Sequence, residues 1–66
     1  MTREAILAHL ATKFNCRAAK VGFVHGQWSI ALGYRDNRRI GEEVHEWAYG
    51  ALGSGVCVCA EDSSLG

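Results

Sequence analysis

Between Lys20 and Arg35, large apolar side chains alternate with small or polar ones, and this constrains the fold more than any other stretch of the chain. Trp28, Ile30, Leu32 and Tyr34 share one parity; Ser29, Ala31 and Gly33 share the other. Successive side chains of a strand point to opposite faces, so this arm has one bulky face and one smooth face. Upstream, Val21, Phe23 and His25 alternate with Gly22 and Val24. A two-residue turn at Gly26-Gln27 joins the arms into a hairpin, because glycine accepts the positive φ that a type II′ turn demands at its first central position. That register pairs His25 with Trp28, Phe23 with Ile30 and Val21 with Leu32. Placing the turn one residue earlier, at His25-Gly26, leaves the same side chains on the same face.

A hairpin with one bulky face needs cover, and amphipathic segments flank it. From Thr2 to Phe14, the residues Ile6, Leu7, Leu10 and Phe14 keep a helical period, with Thr2 as the N-cap and Asn15 suited to the stop. Asp36-Asn37 offers the N-cap of a second helix, running from Arg38 to about Leu52. Its apolar stripe is Ile40, Val44, Trp47, Ala48 and Ala51, and Gly53-Ser54-Gly55 closes it. Val56 to Ala60 is rich in strand formers and supplies a third strand; residues 61–66 are expected to fray. The expected fold class is α+β: a two-layer sandwich of order α-β-β-α-β, with a small three-stranded sheet covered on one face by two helices. The third strand can pair with the first or sit beside the second. The open face of the sheet is expected to carry Gly22, Val24, Ser29, Ala31 and Gly33.

A chain of 66 residues forms one domain, 1–66, whose core is marginal, because so short a chain buries only about 60% of its unfolded surface. Self-association is one remedy, and the smooth sheet face invites it. No apolar run approaches the length of a membrane span, and the first residues do not read as a signal peptide, so a membrane partner is not expected and a cytoplasmic location is. The three cysteines, Cys16, Cys57 and Cys59, are too few and too closely spaced for a secreted disulfide framework.

Charge is unevenly distributed. Residues 1–39 hold all seven bases against two acids, a net +5, and residues 40–66 hold five acids and no base, a net −5. Such a split points to charged partners, or to two poles that compensate within the fold. Arg35, Arg38 and Arg39 cluster at the start of the second helix, where cations oppose the helix dipole. Together they could grip an anion, or pair with Glu42 and Glu43 one turn on. Glu42, His45, Glu46 and Tyr49 lie opposite the apolar stripe, and an outward tyrosine among carboxylates suits a protein contact.

Chemistry is sparse. Cys57-Val58-Cys59 places two thiols on one face of a strand, a weak candidate for a soft metal or a strained disulfide; the plainer expectation is a pair of small apolar fillers. The histidines His9, His25 and His45 have no ligand or base at motif spacing. No nucleophile constellation, phosphate loop or dinucleotide fingerprint is present, and no catalytic residue, metal or cofactor is expected. The leading expectation is a non-enzymatic protein-binding module, a small regulator or inhibitor contacting its partner through Arg35, Arg38, Arg39, Glu42, Glu46 and Tyr49. A nucleic-acid binder led by the arginines is the alternative, and a metal or redox module on Cys57 and Cys59 the third.

Overall fold

The computed structural model describes residues 1–61. Its elements follow the order α1 (Arg3–Lys13), β1 (Lys20–Val24), β2 (Gln27–Leu32), α2 (Tyr34–Leu52) and β3 (Cys57–Ala60), an α+β fold. The Thr2 hydroxyl caps α1 by accepting from the Ala5 N–H at 3.1 Å. The helix ends through Asn15 in the left-handed region, φ 54°, where the Cys16 N–H returns to the Leu10 carbonyl.

β1 and β2 form the expected antiparallel hairpin, with the turn at the earlier of its two placements. The two loop residues are His25 and Gly26, at φ 53° and 76°, and the register pairs Val21 with Ile30 and Phe23 with Trp28. Two consecutive positive φ angles belong to a type I′ turn, whose twist matches that of the flanking strands. The Gly26-Gln27 turn is therefore corrected by one residue and the pairing by two. The facing is preserved, as the period of two requires.

β3 lies beside β2 and runs parallel to it, with Ile30 opposite Val58 and Ala31 opposite Cys59, giving sheet order β1-β2-β3. β2 is thus central, and pairing with the first strand is excluded. Of the two placements open to it, β3 takes the one reached by the α2 crossover.

The second helix starts four residues earlier than Asp36-Asn37 suggests. Gly33 is its N-cap, at φ −60° and ψ 154°, without a side-chain capping bond, and Asp36 falls in the first turn. Tyr34 and Arg35 are therefore helical. Tyr34 leaves the strand's inward row and becomes more than half exposed, and Gly33 leaves the open sheet face to become a buried helix cap.

The core joins Ile6 and Leu10 of α1, Val21, Ile30 and Leu32 of the sheet, and Ile40, Val44 and Ala48 of α2, with Cys16 and Val56 closing its ends. α1 packs on β1, and α2 on β2 and β3. Trp47 covers the flank, stacked on His9 with centroids 4.1 Å apart and edge-on to Phe14 at 6.2 Å. Phe23 belongs to the inward row but lies beyond the helices. It is 60% exposed and meets Trp28 edge-on at 4.9 Å. No described helix is long and apolar enough to cross a membrane.

The open face carries Gly22 and Val24 of β1, Ser29 and Ala31 of β2, and Cys57 and Cys59 of β3. Both thiols lie on a sheet face, as expected of small fillers, but that face is the exposed one; Cys16 is the buried thiol. Glu61, read as the start of a frayed tail, is tied down instead. Its N–H donates to the Leu32 carbonyl at 2.7 Å and its carboxylate pairs with Lys20 at 3.2 Å. The rest of that tail, residues 62–66, lies outside the described residues.

Candidate functional site: the outer face of α2

α2 is strongly amphipathic. Ile40, Val44 and Ala48 are buried, and the opposite face carries Tyr34, Arg38, Glu42, His45 and Tyr49 at spacings of four, four, three and four. At 1.5 Å per residue that stripe runs about 22 Å. Tyr34 and Tyr49 bracket it, 55% and 54% exposed. The Arg38 guanidinium sits 6.0 Å from the Tyr34 ring centroid, at the outer limit of a cation–π contact. At the other end the His45 and Tyr49 rings are 6.3 Å apart. An open depression follows this face, lined by Asn37, Arg38, Arg39, Gly41, Glu42, Glu43, His45, Glu46 and Tyr49, with Val58 of β3 at its edge. Gly41 belongs to that lining: a Cβ there would lie 2.9 Å from Asn37 Oδ1, so the glycine makes room for that amide.

The three arginines take different roles. Arg39 donates to Asp36 at 2.9 Å and reaches the Phe14 carbonyl at 3.5 Å. The Cys16 thiol donates to the other Asp36 oxygen at 3.5 Å. This cluster pins the end of α1 to the start of α2, which accounts for a cation in an unfavourable dipole position. Burial first, and then the Asp36 charge, push the Cys16 thiol up. Arg39 therefore pairs with Asp36, not with Glu43. Arg38 leans on Tyr34, and Arg35 lies in the first turn beyond the depression.

Of the residues singled out by sequence, α2 brings Arg38, Glu42, Glu46 and Tyr49 onto one surface, with Arg39 at its margin. Tyr34 was missed because its parity continued that of Trp28, Ile30 and Leu32. Its spacing of four from Arg38, just after a glycine, was the available signal. Among the described residues no ion pair joins His45 to Glu42 or Glu46, so no base dyad is assembled. Nor do the described residues gather three or more potential metal ligands. No family model, curated protein or solved structure matches the chain.

Proposed function

We propose that the chain is a non-enzymatic protein-binding module, a small regulator or inhibitor that docks on a larger partner through the outer face of α2. One observation carries this: two half-exposed tyrosines bracket Arg38, Glu42, His45 and Glu46 on a face that the fold leaves unburied. Tyrosine and arginine are the side chains that most often anchor interfaces, and a mixed-charge rim gives selectivity more than raw affinity. A reducing cytoplasm suits a chain whose three cysteines are free thiols.

A photo-crosslinking residue at Tyr49, compared with one at Thr12 on α1, identifies the partner by mass spectrometry; binding of that partner is then measured for Tyr49→Ala and Arg38→Glu. Each substitution is expected to weaken affinity by about 10- to 30-fold, the size of an interface hot spot. Unchanged affinity in both variants overturns the assignment. Nucleic acid is the weaker reading. Arg39 is already engaged by Asp36 and Phe14, and Glu42 and Glu43 follow within a turn. A mobility shift at low salt that Arg38→Glu abolishes would put it first.

A further inference from the structure

The exposed thiols of β3 form a second site, on another element and with a different chemistry. Cys57 and Cys59 stand two residues apart on one face of an edge strand, in register with Ser29 and Ala31 of β2. Those neighbours are small, so no large side chain overhangs the sulfurs from β2. The Cys59 thiol donates to the Ile30 carbonyl of β2 at 3.8 Å, a long bond that metal binding would give up. Partial burial first, and then the adjacent Cys57, hold the Cys59 thiol up.

The spacing decides what such a pair can hold. Two residues of strand separate the Cα atoms by about 6.6 Å, at the far end of the range a disulfide tolerates and beyond its usual 5.5–6 Å. Closing an S–S bond of about 2.0 Å would therefore distort the strand. A metal bridging the sulfurs through two bonds of about 2.3 Å holds them roughly 4.6 Å apart, which the extended strand reaches without distortion. Zinc asks for four ligands, and the described residues bring no third to the pair. Soft thiolates with no further donors suit a d10 ion content with two, of which Cu(I) is the physiological example.

The geometry points to Cys57 and Cys59 as a two-thiolate site for a soft d10 ion, Cu(I) in kind, held on the open face of the sheet. Binding forms two S–Cu bonds and releases two protons, one from each thiol, with no change of oxidation state. The site is open on its solvent side, so a thiolate of another molecule can approach the bound ion and take it over.

The full chain, reduced and anaerobic, is titrated against a chromophoric Cu(I) chelator. The expected result is withdrawal of one Cu(I) per chain, with native mass spectrometry showing copper on the monomer. Cys57→Ser and Cys59→Ser each weaken retention at least 100-fold, with circular dichroism unchanged because both positions are exposed. Wild type that competes no better than either serine variant overturns the site. So does copper found only in dimers, which would mean four thiolates from two chains. Neither outcome bears on the α2 face, whose test uses different residues.

Discussion

The two faces of the three-stranded sheet differ more than any other two regions of the molecule. One carries Val21, Ile30, Leu32 and Val58 against two helices; the other carries Gly22, Ser29, Ala31, Cys57 and Cys59 and meets no described element. Cysteine marks the contrast. Cys16 lies 1% exposed beneath the helices and donates to Asp36, while the other two stand on the open side. The same side chain is a packing unit in one place and a ligand candidate in the other. Composition cannot separate the two roles; position can, since Cys16 lies in the connection between α1 and β1 and the other two on the open face of a strand.

The contrast can be broken at several points. The largest effect is expected from Ile30→Ala, about 3 kcal/mol of destabilisation by urea unfolding, against less than about 0.5 kcal/mol for its neighbour Ala31→Ser. Similar losses at the two positions would mean that both faces are covered. Trp47→Ala should cost about 2 kcal/mol, below the value for a fully buried tryptophan because Trp47 is only half buried, and it should free the His9 ring from its stack.

Cys16→Ala is expected to cost about 1 kcal/mol, and it carries a pH signature. The folded state raises the Cys16 pKa, so the contribution is complete below the ordinary thiol value of about 8.5 and declines as pH rises through the folded value. Wild type should therefore lose stability between pH 8 and pH 10 more steeply than the alanine variant, and parallel slopes would contradict the burial of that thiol. The smallest effect belongs to Cys57→Ala and Cys59→Ala in metal-free protein, each within about 0.5 kcal/mol. Native-state alkylation sharpens the same point: two thiols should react readily, and the third only on unfolding.

Much of this was legible because it is local. The period of two fixed which side chains face the helices whatever the turn, and Thr2 and Asn15 marked the ends of α1. The turn was legible only to within one residue, because histidine is an uncommon first residue for a type I′ turn, although it tolerates the left-handed region better than most. The start of α2 was hidden because Tyr34 satisfies two periods at once, completing the strand's parity and opening the helix's outer stripe. The position of β3 was hidden for another reason: pairing across a 19-residue helix leaves no local mark on either strand. On the outer face of α2, the carboxylates, Arg38 and Tyr49 were visible from helical spacing alone. That Arg39 is occupied was not, because its partner carbonyl lies 25 residues away.

The small junction of Phe14, Cys16, Asp36 and Arg39 has a consequence for how the chain could be rebuilt. It joins residues 14–16 to residues 36–39, and everything between them is the hairpin and its approaches. The hairpin is therefore clamped at its base like a cassette. Its tip, His25-Gly26, could be lengthened or exchanged while the clamp keeps the entry and exit of the loop together. Loop-closure entropy rises only slowly with length, about 0.6 kcal/mol per doubling, so a longer tip strains such a clamp little. Variation in this fold is cheapest at the hairpin tip, the end of the sheet away from the clamp.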